Sequence, residues 1–192
     1  MTYPSLRVTF SLLVLLPLLT ATQLCAEEHS KSESEQVAST MVYFESLRAL
    51  CGSEFSGEMT FPVDGQDDFA GKTLVARFAS CSDSEVRVPF LVGEDRSRTW
   101  VFSKTESGLH LRHDHRHADG TPDEVTDYGG NSSAAGTPLS QSFAADQYTK
   151  TLIPAAATNV WAVSFNTQLD ELTYHLERHG KPRFTAVLSR TK

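Results

Sequence analysis

From Phe55 onward the chain alternates apolar and polar residues with a period of two, in short runs separated by turn residues. Phe55, Gly57, Met59 and Phe61 alternate with Ser56, Glu58 and Thr60, and Leu74, Ala76 and Phe78 with Val75, Arg77 and Ala79. Val86, Val88, Phe90 and Val92 follow, then Trp100 and Phe102, with Pro89 marking an edge or a bulge. Near the C-terminus come Trp161, Val163 and Phe165, then Leu172, Tyr174 and Leu176, then Phe184, Ala186 and Leu188. Period two is the signature of strands with one buried face. The links are hairpin-sized: Asp64-Gly65, Gly93-Glu94-Asp95, Glu106-Ser107-Gly108, residues 166–170, and His179-Gly180-Lys181-Pro182. No helical period intervenes, which excludes βαβ units. About eight or nine strands in sequential order predict a mainly β fold, an antiparallel up-and-down barrel of calycin-like size. The alternative is a β-sandwich or jelly roll.

One helix precedes the strands. Val37, Met41, Phe44, Leu47 and Leu50 lie on one helical face, with Ser34 before them and Gly52 after. Such a face is packing surface, and the helix is expected to plug one end of the sheet. Residues 118–142 are rich in Gly, Pro, Ser and Asp and read as a long loop. Asp146 caps a short helix through Ile153, ended by Pro154. Asn131-Ser132-Ser133 matches a glycosylation acceptor, relevant only to a eukaryotic secretory route.

The N-terminus is a different kind of segment. Arg7 is the single charge before Glu27, and Phe10–Leu19 is almost wholly apolar. A short positive region, an apolar run and a small residue at Ala26 read as a secretory signal peptide over residues 1–26. The run is too short for a transmembrane helix across about 30 Å of hydrocarbon. Cys25 opens a lipoprotein alternative, but Gln23-Leu24 before it lacks the usual small residues. Residues 27–36 form a polar, flexible arm, and residues 37–192 a single domain. Without residues 1–26 the charge moves from −7 to −8, since 16 of 17 basic residues then face 24 acids. That balance argues against a nucleic-acid partner, which calls for a basic stripe. A hydrophobic content of 40% with eleven Phe, five Tyr and two Trp argues against wholesale disorder. Cys51 and Cys81 remain, an even count that permits one disulfide in an exported chain. Two buried free thiols are the other reading.

Four of the seven histidines fall within eight residues, His110-Leu111-Arg112-His113-Asp114-His115-Arg116-His117. On a strand, parity puts His113, His115 and His117 on one face with Leu109 and Leu111. His110, Arg112, Asp114 and Arg116 share the other, a solvated or ion-paired row. Imidazoles at i and i+2 stand roughly 7 Å apart at their Cα atoms, close enough to share one ion. Three in a row span about 13 Å, so a metal pairs His113 with His115, or His115 with His117, and takes a further ligand from elsewhere. Asp119, Asp123, Glu124, His175 and His179 are candidates by residue type. Imidazole-rich ligation suits Zn, Cu, Ni or Fe. A polar pocket lining and a structural hydrogen-bond network are the competing readings of the row.

Gly108-x4-His113-x-His115-x3-Asp119 resembles the first metal motif of cupins, with the glycine one residue too close, Asp in place of Glu, and no second motif. A longer stretch resembles a family of uncharacterised exported bacterial proteins: Leu111-Arg112-His113-Asp114-His115-Arg116-His117-x-Asp119-Gly120-Thr121-x-Asp123, then Tyr128-Gly129-Gly130 and Thr158-Asn159-Val160-Trp161. That resemblance covers residues 98–165. It implies a Gram-negative exported protein, periplasmic or secreted, and transfers no activity.

No Gly-x-Ser-x-Gly elbow, P-loop or dinucleotide fingerprint is present, and no cysteine is spaced for nucleophilic work. Two functions are carried forward. One is a periplasmic barrel binding a small, partly apolar ligand or an envelope partner, lined by His113, His115, His117, Trp100, Phe102 and Trp161, with Phe78, Phe90 and Phe165 also inward. The other is a metal-binding protein or cupin-like metalloenzyme using His113, His115, His117 and Asp119.

Overall fold

The computed structural model describes residues 38–62, 68–133 and 136–192. The leader, Cys25, the arm, Ser34, Val37 and the Asp64-Gly65 turn lie outside the described residues. Helix α1 covers residues 38–49. Eleven strands follow, β1 (Glu54–Phe61), β2 (Leu74–Arg77), β3 (Ser80–Cys81), β4 (Glu85–Val92), β5 (Asp95–Thr105), β6 (Gly108–His115), β7 (Tyr128–Ser132), β8 (Ser140–Ala145), β9 (Val160–Phe165), β10 (Glu171–Arg178) and β11 (Lys181–Arg190). Between β8 and β9 lie helix α2 (Gln147–Leu152) and a 3₁₀ turn (Pro154–Ala156).

All pairings are antiparallel, and strands from β4 to β11 pair in sequence order. β1 pairs with β11 on one side and β2 on the other, and β2 pairs with β4, which closes a ten-stranded barrel. β3 is an extra strand on β4. The meander settles barrel over sandwich or jelly roll. Closure removes the unpaired edges that a sheet of this size otherwise exposes. Pro89 sits where neither β2 nor β3 pairs with β4, so its missing N–H interrupts no bond on that side.

The interior is filled by the inward parity of each strand. Phe55, Leu74, Val88, Phe102, Leu111, Phe143, Val163 and Leu188 are among the buried residues. α1 closes the end where β1 begins and β9 finishes. Its Phe44, Leu47 and Leu50 are buried as the stripe predicts, joined by Tyr43, whose ring meets Phe165 at 6.3 Å. Tyr43 also donates its hydroxyl to the Val163 carbonyl at 3.0 Å, so the buried polar atom is satisfied. The Cys51–Cys81 disulfide ties the end of α1 to β3, with Cα atoms 6.2 Å apart. Closing a loop of this size stabilises by about 3–4 kcal/mol in the chain-entropy account.

The expected loop over residues 118–142 is corrected. It contains β7 and the start of β8. Gly129 and Gly130, which read as loop residues, are in a strand because neighbours come too close for side chains. A Cβ on Gly129 would run into the Leu111 carbonyl, and one on Gly130 into the Ala144 carbonyl. Thr149 of α2 completes the strand: Gly129 donates its N–H to Thr149 Oγ1 at 2.6 Å, and Thr149 donates to the Gly129 carbonyl at 2.7 Å. Asp146 caps α2 as expected, accepting from the Thr149 N–H at 2.8 Å.

Candidate functional site

The inward line of β6 runs Leu109, Leu111, His113, His115 from the plugged end to the opposite, open mouth. The structure divides the histidine row by depth. His113 is buried at 5% exposure, His115 is half-buried at the mouth, and His117 is exposed beyond the strand.

His113 belongs to a hydrogen-bond network. A carbonyl only accepts, so His113 donates Nδ1–H to the Tyr128 carbonyl at 3.1 Å. Nε2 is then the acceptor, and the Tyr174 hydroxyl donates to it at 2.9 Å. The imidazole also stacks on Tyr128, centroids 4.8 Å apart. Burial pushes its pKa down to about 4; the Tyr128 carbonyl opposes this, and His115, Arg112 and Arg98 add to it. With both nitrogens engaged, His113 is held neutral by its surroundings.

His115 faces a pocket of about 300 Å³ at the mouth. Burial, then the Arg98 charge, lowers its pKa, against the acids Asp123, Asp95 and Asp114. The walls are Phe69, Tyr128, Trp161, Tyr174, Leu176 and Phe184, with Ile153 and Ala156 from the α2–β9 connection. The polar lining is Arg98, Asn159, Arg178, Arg183 and Asp68. Beneath it, packed rings form a solid floor: Phe90 stacks on Trp100 at 4.3 Å, Trp100 meets Tyr174 tilted at 4.5 Å, and Tyr174 meets Phe184 edge-on at 5.6 Å. The barrel is therefore packed through its middle and hollow at one end.

Of the expected lining residues, His115 and Trp161 reach this pocket. Trp100 and His113 lie under it, and Phe102 packs deeper against Phe143 at 5.8 Å. Phe78 and Phe165 pack together near α1 instead, at 6.2 Å. Arg98, Tyr128, Asn159, Tyr174 and Arg178 had not been singled out as lining. Parity was the available signal for two of them, since Arg98 is two residues before Trp100 and Arg178 four after Tyr174, on the same inward lines.

The four proposed metal ligands do not converge as one set. Asp119 Oδ1 accepts instead from the N–H and hydroxyl of Thr121, at 3.0 and 2.7 Å. The structure brings His117 to two acids named by type alone, Asp123 and Glu124, whose ligand atoms all lie within 4.8 Å of one another. His117 turns Nδ1 to Asp123 at 3.9 Å and Nε2 to Glu124 at 3.7 Å, and the Glu124 side chain is 87% exposed. The imidazole thus lies between a half-buried and an exposed carboxylate, beyond hydrogen-bond distance of both. His175 lies on the outer face of β10, bonded to Thr185 at 2.7 Å, and His179 in the following turn, bonded to Thr158 at 2.9 Å. A larger pocket of about 600 Å³ beside His117 is lined by Glu94 and by polar residues of β5 and the β6–β7 connection such as Arg96 and Arg116, with Ala118 its one apolar side chain.

The outer row of β6 is ion-paired as expected. Asp114 holds Arg87 at 2.7 Å and Arg116 at 3.0 Å, and Arg112 meets Asp146 at 2.7 Å.

No family model, curated protein or solved structure matches this chain. The mouth pocket therefore rests on its own geometry.

Proposed function

We propose that this protein is an exported barrel that binds a small, partly apolar ligand in its open mouth. The observation that carries this is the contrast between a barrel packed solid through its middle and a pocket of about 300 Å³ above the aromatic floor. That volume is at the lower end of ligand pockets and has room for about ten non-hydrogen atoms. Apolar walls with a few convergent polar groups are the usual composition of such sites. Export is supported by the N-terminal leader pattern and by the disulfide, which persists in oxidising compartments such as the periplasm. Among the described residues no helix is long and apolar enough to cross a membrane.

A set of neutral, anionic and cationic fragments of this size tests the reading, scored by saturation-transfer NMR on the protein and on Leu176→Trp, which fills the pocket. Hits that Leu176→Trp abolishes support it. Binding by no fragment of any class, or hits indifferent to the filled pocket, would sink it.

A further inference from the structure

Building on that binding reading, we propose that the mouth selects a small organic anion, a carboxylate on a flat apolar body, gripped by Arg98 and Arg178. The first support is the state of Arg178. Its Nε donates to Asn159 Oδ1 at 2.9 Å, and its two terminal nitrogens have no acceptor among the described residues. Asn159 is 4% exposed, so a buried amide fixes the direction in which the guanidinium fork points. A planar fork held at one corner and open at the other two is suited to bidentate carboxylate recognition.

Arg98 supplies the second support. It lies on the inward face of β5, paired across the ladder with His115 and one inward step above Trp100. One terminal nitrogen meets Asp95, and the guanidinium lies over the Phe69 ring at 5.3 Å. Its charge bears on His113, His115, Tyr128 and Tyr174 at once. Arg183 also lines the mouth, where Asp68 is the acid of the lining and Asp95 the partner of Arg98. Three arginines gathered at one mouth of a chain of net charge −7 run against the overall balance. A low-dielectric cleft of one sign concentrates ligands of the opposite sign.

The body of the ligand follows from the walls. Trp161, Tyr128 and Tyr174 are aromatic members of the lining, a composition that favours a planar apolar group. A bare inorganic anion would leave these surfaces uncovered, and an amine would be repelled by the arginines.

Calorimetric titration with three probes on one phenylpropyl frame decides the matter: 3-phenylpropionate, its isosteric amide 3-phenylpropanamide, and 3-phenylpropan-1-amine. The acid is expected to bind roughly tenfold or more tightly than the amide, with the amine weakest, because charge-assisted bonds exceed neutral ones. Arg178→Gln should lose about tenfold for the acid and little for the amide, and Arg178→Lys should fall between, keeping the charge without the fork. Thermal midpoints of the variants separate lost binding from lost folding, and Arg98→Gln provides an independent second variant. Equal binding of acid and amide would overturn the anion assignment and leave the binding reading standing. Failure of all three probes would overturn the assignment as well, and the broader reading would then be judged by the fragment set.

Discussion

At the end where β1 begins, α1 lays Phe44, Leu47 and Leu50 over the core and seals it. At the end where β6 finishes, the same inward lines terminate in Arg98, His115 and Arg178 around a hollow. Both ends face the same problem, the open rim of a barrel whose interior is apolar. A helix face solves it at one end by burying hydrocarbon. At the other, polar groups cap the aromatic column and leave room above it. Stability is concentrated at the first end and recognition at the second, which makes the two separable by mutation.

The largest effect should come from the plug. Phe44→Ala removes a fully buried ring and is expected to destabilise by about 3–5 kcal/mol in urea unfolding. A loss below about 1 kcal/mol would mean that the helix is only loosely seated. Reducing the Cys51–Cys81 disulfide, on the same side, should lose about 3–4 kcal/mol, read as a lower thermal midpoint of the protein with reductant than without it. The double variant Cys51→Ala/Cys81→Ala should show no response to reductant.

The buried histidine beneath the mouth makes a pH prediction of slightly smaller size. In the unfolded chain a histidine titrates near 6.5, whereas folded His113 is pushed down to about 4. Between those values the unfolded state binds the extra proton, so stability rises with pH. The contribution is complete above about pH 6.5 and is lost as pH falls toward 4, on the order of 3 kcal/mol. His115 and His110, also shifted down, act in the same direction. Unfolding midpoints of His113→Leu should show a much shallower slope over this window; an unchanged slope would remove His113 from the account. Least affected should be the stability of Arg178→Gln, at about 1 kcal/mol, since the variant gives up the bond to the buried Asn159 Oδ1 but its terminal nitrogens pair with nothing among the described residues.

The sequence reveals the barrel wherever one face of a strand is greasy. Val86 to Val92 and Leu172 to Leu176 alternate because the interior takes every second residue. β7 was hidden for the opposite reason. Gly129 and Gly130 serve a close approach of backbones, and a pair of glycines looks the same in a turn. β8 was obscured too, because Ser140, Gln141, Ser142, Ala144 and Ala145 leave Phe143 as its one large apolar side chain. The depth of the histidine row was half legible: parity placed His113 and His115 inward, but where β6 ends decides that one is sealed and the next meets a pocket. Arg98 and Arg178 were missed because charged residues on a strand read as solvent-facing. At a barrel mouth the inward face itself becomes polar, and the convergence of β5, β6, β9 and β10 is a property of closure that no single segment carries.

The division of labour between the two ends is tested most directly by a ¹H–¹⁵N titration of the uniformly labelled protein with 3-phenylpropionate. Shifts should be confined to amides around Arg98, His115, Tyr128, Asn159, Trp161 and Arg178, with residues 38–49 unmoved. Shifts centred on α1, or scattered without regard to the mouth, would contradict it.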